Sequence, residues 1–148
     1  MTIKRILCAS DFSPASRRAL RLAQELARTF KAKLFLFHAY ERSLPISNGG
    51  YLPPSVLQEM LTATREAARR NLQRLARSPQ GKGVRISMLL AEGSASAAIV
   101  RAAKKNRVDL VVMGTHGRTG VQRLLMGSVA DRVIRTASCP VLVVGGRH

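Results

Sequence analysis

Five short, mostly apolar runs punctuate this chain, at residues 3–9, 34–39, 84–90, 108–113 and 140–144. The second, Leu34-Phe35-Leu36-Phe37-His38-Ala39, is apolar on alternate and intervening positions alike. Such runs suit strands covered on both faces. Between them the apolar residues fall at helical spacing. Ala19, Leu22, Ala23, Leu26, Ala27 and Phe30 mark a first helix, opened by Ser13 as cap and Pro14 in its first turn. Leu57, Met60, Leu61, Ala68, Leu72 and Leu75 mark a second over residues 54–76. A third follows Gly93-Ser94, with Ala95, Ala98, Ile99, Ala102 and Ala103 facing inward, and a fourth spans 128–136. Residues 40–53, rich in Pro, Gly, Ser and Asn, read as a loop.

The order is β-α-β-α-β-α-β-α-β over a single domain, residues 1–148. Strict alternation calls for an α/β fold: an open parallel sheet of five strands with helices on both faces. Ligands of such folds bind at the carboxyl ends of the strands, where strand order reverses. If the first and fourth strands are neighbours, Asp11 and Gly114 face one crevice.

Gly114 ends the fourth strand, and Gly127-Ser128 opens the last helix. Glycines let a backbone approach an anion closely, and a helix start offers unpaired N–H groups at a positive dipole end. That pattern points to a phosphorylated ligand. Ser128 can donate its hydroxyl to a phosphate, and Arg118 can offset its charge. Asp11 can accept from ribose hydroxyls or an adenine amino group. Each has a plainer role beside this one. Ser128-x-x-Asp131 fits a capping box, and Asp11 can cap the helix that starts near Ser13. His116 fits an exposed loop, and His38 fits a satisfied core position. The chain has no Gly-x-x-x-x-Gly-Lys-[Ser/Thr], and Ser10-Asp11-Phe12-Ser13 replaces the Gly-x-Gly-x-x-Gly of dinucleotide sites.

Gly114-x2-Gly117-x9-Gly127-Ser128 resembles the ATP-binding signature of the universal stress protein family. The likeness runs the whole length. It includes residues 6–13, Phe37-His38-Ala39, Ala91-Glu92-Gly93 and the block 109–144. The resemblance implies strand order 3-2-1-4-5, a fold like the adenine-nucleotide alpha hydrolases, an ATP pocket with or without Mg2+, and a stress-response role. It assigns Gly114, Gly117, Gly127 and Ser128 to the phosphates, with His116, Arg118 and Val129 beside them, and includes Thr115 among the nucleotide-binding residues. Ala9, Ser10 and Asp11 would meet the nucleoside, and Ala39 the adenine region. It also implies a homodimer paired through Val141–Val144, an apolar edge with no gatekeeping charge before Arg147. Ser94-Ala95-Ser96 lacks the proline that the family often carries there.

Charge adds a separate question. Lys and Arg number 25 against 8 Asp and Glu, giving +17. The basic residues are spread along the chain, so solvated helix faces account for most of them. Salt-sensitive nucleic-acid association stays open as a second function. Slow ATP hydrolysis or phosphate transfer is a third, though no carboxylate pair for a metal stands out. Cys8 and Cys139 form no metal or redox spacing. No window has the length of a membrane span or the form of a signal peptide, so the expectation is a cytoplasmic ATP-binding regulator with a protein partner of unknown kind.

Overall fold

The computed structural model describes residues 2–42, 50–115 and 126–145. Of the residues singled out above, His116, Gly117, Arg118 and Arg147 lie outside them. The elements run β1 (Arg5–Ala9), α1 (Pro14–Thr29), β2 (Lys33–Tyr40), α2 (Pro54–Ala76), a single 3₁₀ turn (Pro79–Gly81), β3 (Ile86–Glu92), α3 (Ala95–Lys105), β4 (Leu110–Gly114), α4 (Ser128–Thr136) and β5 (Val141–Val144). The sheet has the order β3-β2-β1-β4-β5, and its paired strands are parallel throughout. Fold class and strand order therefore match the expectation.

Alternation along the strands divides the core into two layers. Ile6, Cys8, Leu34, Leu36 and Val112 pack with Ala19, Ala23 and Ala27 of α1 and Leu72 of α2. Leu7, Phe35, Phe37, Val111 and Met113 pack with Ala98 and Ile99 of α3 and Val133 of α4. Ile6, Leu7, Leu34 and Leu36 lose all exposure, and each such side chain contributes about 1.5–3 kcal/mol by burial. Cys8 lies fully inside the first layer, where burial pushes its thiol up to about 12. Cys139 is half-buried, and its thiol is also raised, mainly by burial.

Helix ends follow the local sequence. Ser13 Oγ accepts the Ser16 N–H at 3.2 Å and caps α1. Lys31 and Arg107 adopt left-handed backbone (φ 53° and 51°) just beyond α1 and α3. Asn106 Nδ2 donates to Ala102 O at 2.8 Å, satisfying a last-turn carbonyl of α3.

Several details differ from the sequence reading: β1 starts at Arg5 rather than 3, and β3 is Ile86–Glu92 rather than 84–90. Phe30, expected inside, caps α1 and is 47% exposed. In the first half of α2, Met60, expected inside, is exposed, while Leu57 and Leu61 are half-buried and full burial begins at Ala68. β4 starts at Leu110 rather than 108, because the Asp109 carboxylate takes the place of a ladder partner. Its Oδ2 accepts the N–H groups of Lys4 and Arg5, each at 2.8 Å.

Candidate functional site

β1 and β4 are neighbours, but the chain leaves them toward opposite faces. α1 follows β1 on one side of the sheet, and α4 follows β4 on the other. This is where strand order reverses, and a crevice opens at the carboxyl ends. It holds a cavity of about 180 Å³. Ala9, Ser10 and Asp11 enter from β1, Ala39 from β2, Gly114 and Thr115 from β4, and Gly127, Ser128 and Val129 from α4. Every described residue assigned to the site from sequence thus lines one cavity.

Phe37, Met113, Ala95, Ile99 and Ala130 complete the lining and were not anticipated there. The signal for them was present. Phe37 and Ala39 share one face of β2 by the two-residue repeat, and Ala95 and Ile99 share one face of α3 by the i, i+4 repeat. The cavity therefore has an apolar side, formed by Ala9, Phe37, Ala39, Ile99 and Met113, and a polar rim.

Two helix starts form much of that rim. α4 has Gly127 at its cap position and no side chain closing its first turn. The capping box expected from Ser128 and Asp131 is not formed. Ser128 is already the first helical residue, and Asp131 instead accepts Arg135 Nε at 3.0 and 3.1 Å. α3 starts the same way: Ser94 is at the cap position, and its hydroxyl lies 3.4 Å from Ser96 Oγ without capping a backbone N–H. The first N–H groups of each helix lack intrahelical partners, and each start carries roughly half a positive charge. α1, by contrast, closes its own first turn through Ser13.

On the β1 side the polar groups hold one another. Asp11 Oδ1 accepts the Ser13 N–H at 3.0 Å, so Asp11 shapes the entry to α1 while Ser13 is the cap. The Ser10 hydroxyl accepts the Phe12 N–H at 3.2 Å and lies 3.2 Å from Ser16 Oγ. His38 Nδ1 donates to Ser10 O at 2.8 Å, and its ring lies 4.4 Å from that of Phe12. His38 thus positions the β1 end, as a core histidine would. Phe12 itself sits at φ 66°, a left-handed conformation that turns the chain from β1 into α1.

Gly114 has a different cause from the one its motif suggests. A Cβ there would lie 3.0 Å from Ala15 C, Ala15 Cβ and Ser16 N. Its missing side chain admits α1, while its backbone lines the cavity. Thr115 ties the next step: its N–H donates to Val144 O at 3.0 Å, and its carbonyl accepts the Gly127 N–H at 2.7 Å. The two ends of the segment between β4 and α4 are joined there. Gly93, between β3 and α3, has φ +117° and needs glycine for that reason.

A second, more polar cleft of about 420 Å³ shares Ala95, Ser128 and Val129 with the cavity and adds Glu41, Ser94, Ser96, Asp131 and Arg132. Among the described residues, no three His, Cys, Asp or Glu side chains stand close enough to hold a metal. No described helix is long and apolar enough to cross a membrane.

Comparison with known proteins fits this geometry. Universal stress protein MJ0531 of Methanocaldococcus jannaschii is 35% identical over 141 residues, covering 95% of this chain and 81% of that protein. The solved structure of MJ0577, from the same organism, superposes with a TM-score of 0.85 at 25% identity, covering 100% of this chain and 99% of that one. A universal stress protein solved in complex with cAMP shares the fold, with a TM-score of 0.68 at 24% identity, covering 97% of this chain and 98% of that one. The universal stress protein family model matches residues 2–145, and with the fold and these relatives it places the chain in the universal stress protein family.

Proposed function

We propose that the chain binds an adenine nucleotide, ATP foremost, in the cavity between β1 and β4, and acts as a nucleotide-dependent regulatory protein of the stress response. One observation carries this. A single cavity joins an apolar side suited to a purine with two helix starts suited to phosphate. The base would lie against Ala39, Phe37, Ile99 and Met113. Asp11 would accept from the ribose hydroxyls. Ser128 and the N–H groups of Ser128, Val129 and Ala130 would take the phosphates. His116, Gly117 and Arg118, the remaining motif residues, would complete the phosphate side. The cAMP complex of a related fold supports the ligand class.

Bound nucleotide would alter the surface around the α4 start and so what a partner meets. A homodimer through β5 fits the same reading. Val141–Val144 is only half-buried at the sheet edge, and Ile134 of α4 is exposed nearby in sequence. Pairing across a two-fold axis would cover both.

The test is to denature freshly purified protein, identify any released nucleotide, and titrate ATP, AMP and cAMP into the stripped protein with and without Mg2+. ATP in the released fraction, or ATP binding tighter than AMP and cAMP, is expected. No released nucleotide and no binding of any of the three would overturn the proposal.

A further inference from the structure

The end of the sheet opposite the cavity gathers positive charge. β1 is entered through Lys4 and Arg5, β2 begins with Lys33, and Arg85 immediately precedes β3. Pairing sets these side by side. Arg5 is in register with Lys33, Lys33 N–H donates to Lys4 O at 2.9 Å, and Leu34 N–H donates to Arg85 O at 2.9 Å. Helix ends return to the same place. Lys31 follows α1, Lys104 and Lys105 close α3, and Arg107 lies beyond it with its carbonyl 3.4 Å from Arg5 Nη1. All of these except the half-buried Lys33 are exposed.

Half of the eight acidic residues lie at the other end. Asp11, Glu41, Glu92 and Asp131 lie at the carboxyl ends of the strands or the start of α4. At the strand starts stands Asp109, whose Oδ2 is already engaged by the Lys4 and Arg5 N–H groups at 2.8 Å, and Glu25 is exposed near the end of α1. Eight cations that are scattered along the sequence are thereby gathered at one end of the fold.

We propose that this amino-end face binds the phosphate backbone of duplex nucleic acid, without reading sequence. The face spans β3 to β4. Three inter-strand spacings make about 14 Å, over which a duplex presents roughly eight phosphate charges. Guanidinium groups suit phosphate oxygens in geometry as well as charge. A membrane surface fits less well. Among the described residues, Phe30, 47% exposed, is the exposed large apolar side chain near this end, and one ring gives little to bury among acyl chains. It also gives no row of aromatics for stacking single-stranded bases. Because the cavity is at the other end, this binding is independent of the nucleotide site.

The test compares two charge-matched triple variants by anisotropy of a labelled random-sequence duplex of about 20 base pairs over a salt series. One removes Lys31, Lys104 and Lys105 (each to Gln). The other removes Arg65, Arg69 and Arg70 (each to Gln), exposed positions on α2. Wild type should bind with a steep salt slope. The first triple should flatten that slope by up to about 2.7 and weaken binding by roughly 10²-fold at about 0.1 M salt. The second should change the slope by less than about 1. Equal losses in both triples would reduce the effect to net charge and overturn the proposal. So would no change in either, or no duplex binding by wild type. Binding to phosphatidylserine vesicles that needs Lys31, Lys104 and Lys105, without duplex binding, would assign the face to lipid instead.

Discussion

Gly114→Ala separates two reasons for one glycine. The added methyl would meet Ala15 C, Ala15 Cβ and Ser16 N, all at 3.0 Å. Two of those three are backbone atoms in the first turn of α1, which is pinned by the Ser13 cap and by Ser16 Oγ on Ser13 O at 2.9 Å. The helix start must therefore shift by several tenths of an ångström. Overpacking of this kind costs about 1–3 kcal/mol. For a chain of 148 residues, each kcal/mol lowers Tm by about 2–4 °C, so a fall of about 2–12 °C is expected. Urea and thermal unfolding followed by circular dichroism measure it. Ala15→Gly removes one of the three contacts, so a double-mutant cycle should show positive coupling between the two sites. Because the methyl points at α1 rather than into the cavity, ATP affinity of the folded variant should change by less than about threefold, well under the tenfold that 1.4 kcal/mol would give. Unchanged stability together with abolished nucleotide binding would refute the reasoning.

Other outcomes follow from single contacts. Ser13→Ala removes the α1 cap and should cost about 1 kcal/mol in urea unfolding, whereas Ser128→Ala, which removes no cap, should leave stability within about 0.5 kcal/mol. Gly93→Ala forces a side chain into φ +117° and should cost about 1–3 kcal/mol, measured the same way. The Cys8 thiol titrates near 12 when folded, against 9.0 for the ordinary group. Its folded form keeps the proton that the unfolded chain gives up, so its stabilising effect is full below pH 9 and is lost as pH rises from there toward 12. Stability of the parent should fall relative to Cys8→Ala by up to about 1.4 kcal/mol per pH unit in that window, and parallel pH curves for the two proteins would contradict the burial of this thiol.

The sheet was legible because each strand is a compact apolar run between helical repeats, and β2 in particular has no polar face to give it another position. Its order and the site came through the resemblance, which named residues on four separate elements. What stayed hidden depends on lengths and directions in space. α2 has 23 residues, about 34 Å, while β3 beneath it has 7, about 23 Å. The helix overhangs the sheet, so Met60 keeps the right spacing but has nothing to cover it. Phe30 fails for a related reason, standing one step past the last buried turn of α1. Ser128 and Gly127 differ from the expected cap by one residue, a shift that spacing alone does not fix. That shift leaves the Ser128 hydroxyl out of the helix cap. The clustering of cations at the strand starts needs the three-dimensional sheet, because Lys4, Lys33, Arg85 and Arg107 are far apart in sequence.

Amide-resolved NMR during an ATP titration into nucleotide-free protein tests the central claim most directly, since it reports both binding and place. The largest shifts should fall at Asp11, Ala39, Ile99, Thr115, Ser128 and Val129, saturating together with one affinity. Shifts confined to the amino-end face around Lys31 and Lys104, or no shifts at saturating ATP, would contradict it.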